Sequence, residues 1–318
     1  MKFFLATADN KPYSHAARDD FAAVAARCAS LEISRVESPG EADFIVFSDT
    51  MQLGWDWKMA LLRGHELVRK FPRKCFVYDE CDAPRDALPG VYVSMPRAQF
   101  NAKRHRAFSY RILANEFSRD EAAFSQPPEL LFSFQGRRVG EIRGAILDLK
   151  HPRARIEDTS AINFFGEQTA QVEQGKARYR QTLLASQFVL CPRGAGTSSI
   201  RLFETLGAGR VPVVLCDDFV FPEGIDWGSC SVRIPESDAA QIPAILERES
   251  ENFEAKARAA RRVYEENFAP EVWFLRLLEK CRELQEFGEL GVRKNFFFDP
   301  LLWRAGARDL KTKLRKAV

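Results

Sequence analysis

Short apolar runs and amphipathic stretches alternate along this chain, and the alternation sets the expected architecture. In the first third, "KFFLATA", "ADFIVFSDT", "KCFVYDE" and "GVYVSM" are apolar runs of strand length. Between them, "SHAARDDFAAVAARCASL" places Phe21, Val24 and Ala25 at helical spacing behind Ser14, a residue suited to a helix start. "WDWKMALLRGHELVRKF" has helical spacing as well, and "RHRAFSYRILANEF" reads as a further helix. Strands separated by helices of this length predict parallel βαβ units.

Charge and tandem prolines interrupt the periodicity at "SRDEAAFSQPPEL", and a second alternation then begins. "LLFSFQG", "QFVLCPRG", "RVPVVLC" and "CSVRIPE" read as strands; "RRVGEIRGAILDLK", "KARYRQTLLAS" and "SIRLFETLGAG" read as helices. Two long helical patterns follow, around "AAQIPAILERESENFEAKARAARRVYEENF" and "PEVWFLRLLEKCRELQEF". The expectation is an α/β chain with two domains, residues 1–125 and 126–270, and a terminal segment 271–318 that packs back on the first. Ligands of open parallel sheets sit beyond the carboxyl ends of the strands, so candidate site residues should follow strands directly.

Composition narrows the function classes. The chain has 318 residues, 46% hydrophobic and 29% charged, the balance of a soluble globular protein. A net charge of +3 does not single out nucleic acid as a partner, and none is expected. "MKFFLATADN" reads as a first strand, not a secretory leader, and no stretch has the apolar length of a bilayer span. The seven cysteines are scattered without a CxxC pair, which argues for reduced thiols in a cytoplasmic protein and against structural zinc.

The most informative chemistry lies in "FVLCPRGAGTSSIRLFETLGAGRVPVVLCDDF". Gly194 and Gly196 permit close backbone approach after a strand. The following helix start favours an anion through its free N–H groups and dipole. Thr197, Ser198 and Ser199 add hydroxyl donors, and Arg193 can bind phosphate bidentately. The pattern is neither a P-loop nor GxGxxG, yet it suits a diphosphate. Arg201 and Glu204 share a helix face: they form either a surface ion pair or a phosphate ligand and a ribose ligand. Asp217 and Asp218 are either metal ligands or turn residues.

The region "SQFVLCPRGAGTSSIRLFETLGAGRVPVVLCDDFVFPEGIDWGSCSVRIPE" resembles the signature of the exostosin-like glycosyltransferases. They share the strand ending CPRG, the serine–x–RL–x–E helix, the AG–x–x–PVV strand, the D–x–x–x–P turn and the "idW" segment. "RVESPGEADFIVFSD" and "LLFSFQGRR" resemble two further strands of that family. The resemblance implies a GT-B architecture, two facing Rossmann-like domains with an interdomain cleft, and glycosyl transfer with inversion. It implies that Arg193, Gly194, Gly196, Ser198, Ser199, Arg201 and Glu204 hold a UDP- or GDP-linked sugar, with Gly136 and Arg137 facing the diphosphate. Arg137 also reads as a solvated arginine at a helix start. Asp218 is then expected near the sugar or in its turn, without an ion: no cofactor and no metal are implied.

Inverting transfer needs a general base within reach of the acceptor hydroxyl. Asp9, His15, Asp49, Asp79, Glu80 and Asp82 follow strands of the first domain. The carboxylate cluster makes Asp79 and Glu80 the expected catalytic pair, since close like charges raise at least one pKa. The "GrDH"-like segment of eukaryotic exostosins has no counterpart here. The expected acceptor is a glycan or lipid-linked saccharide in bacterial polysaccharide or lipopolysaccharide synthesis. The basic, aromatic tail "VRKNFFFDPLLWRAGARDLKTKLRKAV" allows either packing on the first domain or peripheral contact with the inner face of the membrane. A sugar-nucleotide epimerase and a non-catalytic nucleotide-sugar-binding partner are the alternatives.

Overall fold

The structure, a computed structural model, describes residues 1–28, 32–48, 61–111, 127–162, 164 and 169–292. Two parallel sheets carry it. The amino-terminal sheet contains β1 (Lys2–Ala6), β2 (Ser34–Arg35), β3 (Phe44–Phe47), β4 (Cys75–Asp79), β5 (Gly90–Tyr92) and β6 (His105–Ala107), in the order β2-β1-β3-β4-β5-β6. The carboxyl-terminal sheet contains β7 (Leu130–Gly136), β8 (Ala154–Asp158), β9 (Ser186–Pro192), β10 (Val211–Leu215) and β11 (Val232–Arg233), in the order β11-β10-β9-β7-β8. Each sheet therefore places its second strand outside its first and builds outward from its third. That repeated pattern is the Rossmann-like pair of the GT-B architecture.

The central strands read as apolar runs because helices cover both faces: every residue of β3, β4 and β10 is buried. β2 and β8 lie at sheet edges, β2 exposed and β8 without a fully buried residue, which is why the polar "ARIED" of β8 carries no strand signal. The helix expected at "RHRAFSYRILANEF" is corrected in its first part. His105, Arg106 and Ala107 pair in parallel with Gly90, Val91 and Tyr92, and His105 and Ala107 are buried. Residues 112–126, which include the expected domain boundary, lie outside the described residues.

Helices α1 (Pro12–Arg27), α2 (Glu66–Lys70), α3 (Gly140–Leu147), α4 (Ala170–Leu184), α5 (Ile200–Gly207), α6 (Trp227–Cys230), α7 (Ile242–Glu249), α8 (Phe253–Asn267) and α9 (Pro270–Phe287) fill the layers. The single long pattern expected at 239–268 divides into α7 and α8 around a 3-10 turn at Ser250–Asn252.

Helix α9 returns to the amino-terminal sheet. Trp273 sits edge-on to Phe21 and Tyr78, and its indole N–H donates to Ser109 Oγ at 2.8 Å. Phe274 packs 4.6 Å from Phe3, and Gln285 Nε2 donates to the Asp43 and Arg73 carbonyls. Beyond the helix, Arg104 holds the Glu289 and Gly291 carbonyls while making a bidentate pair with Asp86. The aromatic tail, 293–318, lies outside the described residues. One continuous apolar core joins the sheets: Phe108 and Tyr110 meet Phe268 and Phe203 from the other side.

Candidate functional site

In the carboxyl-terminal sheet the chain reverses its winding between β7 and β9, and a crevice opens beyond their carboxyl ends. Gly136 ends β7 and Pro192 ends β9, so residues 193–199 and the start of α3 both border that crevice. Gly136 packs tightly there: an added Cβ would lie 2.7 Å from the Phe134 ring.

Helix α3 contributes a residue that the motif did not point to. Arg143 Nε donates to the Arg193 carbonyl at 2.9 Å, and its guanidinium lies beside Gly194 and over the Phe134 ring. Arg201, from α5, lies over the same ring at 4.9 Å and donates to the Gln135 carbonyl. Burial, with the neighbouring Arg201 charge adding, pushes the Arg143 guanidinium down to about 10 against the pull of Asp82. At that value Arg143 stays charged at neutral pH, and two guanidinium groups are held over one ring beside the glycine turn.

Two donors in this crevice are buried without a hydrogen-bond partner among the described residues, Arg201 Nε and Thr197 Oγ1, and the Ser198 hydroxyl beside them faces the Tyr110 phenol. Ser198 is 5% exposed. Ser199 stands at the N-cap of α5 without a side-chain hydrogen bond to the first N–H groups of that helix. Buried polar atoms in native proteins are normally satisfied, so this cluster points to a bound anion that supplies the acceptors.

The structure separates the remaining expected ligands. Arg193 is exposed and its Nε is held by Glu236 at 2.9 and 3.1 Å, while its carbonyl accepts from Arg143. Arg137 is exposed and makes no side-chain hydrogen bond among the described residues, in keeping with the solvated alternative. Glu204 is buried and accepts from Tyr179 Oη at 2.6 Å; burial and the Glu204 charge drive the Tyr179 phenol well above its ordinary value. Asp218 is exposed, and its carbonyl accepts from Arg97 N at 3.0 Å. Asp217 is tied to Glu236 through the backbone of each. Among the described residues no three His, Cys, Asp or Glu side chains gather as metal ligands.

The facing wall departs from expectation. Asp79 is fully buried and accepts from Cys81 N at 2.8 Å, fixing the chain turn after β4. Glu80 accepts from Tyr78 Oη and Arg111 N at 2.8 and 2.7 Å and pairs with Arg111 Nε at 3.3 Å. Both carboxylates serve the fold of their own domain. Asp9 accepts from Lys11 N, Tyr13 Oη and Ser14 Oγ at the start of α1, and His15 bonds Asn10. Asp49 lies outside the described residues.

Asp82 is the carboxylate that reaches across. A Cβ on Gly196 would lie 2.7 Å from Asp82 Oδ1 and 2.8 Å from Asp82 Cα, and the Gly196 amide donates to the Asp82 carboxylate. Burial raises the Asp82 carboxyl above its ordinary value, opposed by that amide and by Arg143. Tyr110 stands beside it, with its phenol pushed up to about 12, mainly by burial. No local pattern distinguishes Asp82 from its neighbours; a turn fixed by Asp79 aims it.

Two Rossmann-like sheets facing across a cationic turn define a GT-B protein with a candidate nucleotide cleft. Residues 93–248, just under half the chain, match the model of the Exostosin GT47 domain. The matched segment contains the stretch from Arg193 to Glu204, whose pattern resembles the exostosins. The chain is 30% identical over 177 residues to the Exostosin-1 homolog of Caenorhabditis elegans, covering 51% of this chain and 46% of that one. It is 38% identical over 72 residues to a probable glucuronosyltransferase of Oryza sativa subsp. japonica, covering 22% and 17%. The chain thus spans less than half the length of these curated relatives. Among solved structures, Anabaena HepE in complex with UDP and glucose is similar at a TM-score of 0.43 and 11% identity, over 90% of this chain and 98% of that one.

Proposed function

We propose that the protein transfers a sugar from a UDP- or GDP-linked donor to a glycan acceptor, with inversion at the anomeric carbon. The observation that carries this reading is the unsatisfied cationic cradle: Arg143 and Arg201 over Phe134, with Thr197 Oγ1 and Arg201 Nε buried beside them without a partner among the described residues. A diphosphate supplies the missing acceptors and offsets the paired charges as it leaves, so these cations take the part a metal plays elsewhere. The exostosin-like centre supports sugar transfer over other uses of such a cradle.

The plant relatives named as probable glucuronosyltransferases make UDP-glucuronate the first donor to test. The setting we propose is cell-surface polysaccharide synthesis, lipopolysaccharide included. The protein would act in the cytoplasm at the inner face of the membrane, and the basic composition of residues 292–318 supports that placement.

Thermal unfolding with UDP, GDP and UDP-glucuronate tests the cradle, because a ligand of the native state raises the midpoint by mass action. At least one of these compounds is expected to raise it. Arg143→Gln removes a charge-assisted contact of about 1.5–3 kcal/mol and should weaken that binding about 10- to 100-fold. If no nucleoside diphosphate shifts the midpoint, the reading fails.

A further inference from the structure

We infer that Asp82 is the general base that takes the proton of the acceptor hydroxyl, an inference that rests on glycosyl transfer at the turn. The base must come from the amino-terminal wall, lie beside the diphosphate cradle and keep an open side toward the acceptor. Asp82 meets all three conditions. It follows β4, it touches Gly196 next to the Arg143 guanidinium, and it remains exposed at the cleft mouth. Among the described carboxylates that follow strands of this wall, Asp79 is engaged by Cys81 N, Glu80 by Arg111 and Tyr78, and Asp9 by the start of α1.

The contact with Gly196 orients the carboxylate. Accepting from the Gly196 amide engages part of its hydrogen-bonding capacity and leaves oxygen lone pairs for the acceptor. The charged and titratable groups facing it are Arg143 from α3 and Tyr110 from the segment after β6. In the step itself the acceptor O–H proton passes to the Asp82 carboxylate, and the acceptor oxygen bonds to the anomeric carbon. The bond from that carbon to the diphosphate oxygen breaks, its electron pair leaves on the diphosphate facing Arg143 and Arg201, and Asp82 later loses the proton to water.

The test uses the full-length protein with a panel of UDP- and GDP-sugars, UDP-glucuronate included, reading nucleotide release to water or to an added glycan. Asp82→Asn should lower kcat at least 100-fold, within the range for a general base. It should leave the UDP- or GDP-induced midpoint shift unchanged, and Asp82→Glu should recover part of the rate. A kcat for Asp82→Asn within threefold of the wild type overturns the assignment. Loss of the nucleotide shift together with turnover overturns it in favour of a clamp between the domains. A larger nucleotide shift with undiminished turnover overturns it in favour of a carboxylate that merely competes for the Gly196 amide. Wild-type protein that neither binds nucleotide nor releases it from any donor sinks the transfer reading itself, a failure visible before any variant is made.

Discussion

The two walls of the cleft are built by the same sheet pattern and put to different use. The carboxyl-terminal wall concentrates its candidate chemistry in one continuous stretch, Arg193 to Glu204, joined by one residue from α3, Arg143. The amino-terminal wall spends most of its carboxylates on its own scaffold and presents one, Asp82, across the gap. An anion cradle is made of backbone N–H groups and adjacent hydroxyls, so it is local by nature. A proton acceptor needs one side chain in the right place, and any strand end can supply it.

The sharpest way to break this comparison is to remove what holds the walls together. Trp273 joins α9 to Phe21, Tyr78, Phe108 and Ser109 and is 2% exposed. Trp273→Ala should cost about 3–5 kcal/mol in urea unfolding, and nucleotide binding should fall with the fold because both walls lose their register.

The contact point between the walls comes next. A methyl group on Gly196 meets the Asp82 backbone at 2.8 Å and Ser94 Oγ at 2.9 Å, whereas one on Gly194 meets only the flexible end of Arg143 at 3.1 Å. Gly196→Ala should therefore cost about 1–3 kcal/mol and impair turnover, while Gly194→Ala should leave the unfolding midpoint nearly unchanged. Equal effects of the two substitutions would show that the walls do not meet at this turn.

The smallest expected effect is confined to the scaffold side and to acid. Burial opposes ionisation of Asp86, but the neighbouring His105 ring and the Arg104 guanidinium hold its carboxyl down to about 2, from an ordinary value of 3.8. A depressed folded pKa contributes stability that is present above about pH 4 and lost as pH falls toward 2. The contribution is roughly 2 kcal/mol. Unfolding midpoints across that window should show the loss in the wild type, and Asp86→Asn should flatten it while leaving nucleotide binding at neutral pH intact.

Much of the carboxyl-terminal wall was legible in the sequence. The strand ending in Pro192, the glycine and hydroxyl turn and the α5 start at Ile200 stand where the pattern put them. What escaped was tertiary. Arg143 lies 50 residues from the carbonyl that it holds, and nothing in "RRVGEIRGAILDLK" distinguishes it from Arg138 on the same segment. Asp79 and Glu80 stood out because carboxylates cluster there, yet clustering is also how a buried strand end satisfies its backbone and a nearby arginine. β8 was missed because an exposed edge strand needs no apolar run, and β6 was taken for helix because three residues are too few to show a period.

By itself the sequence determined most of the alternation of strands and helices and the place of the glycine and hydroxyl turn between β9 and α5. These depend on neighbours a few residues away, through periodicity, backbone freedom and helix-end N–H groups. Only the tertiary structure decided that Arg143 joins Arg201 over Phe134, that Asp79 and Glu80 belong to the scaffold, and that Asp82 meets Gly196. Those outcomes depend on where two separately wound sheets bring their strand ends together, and burial and charge pairing there are set by packing that no local pattern encodes.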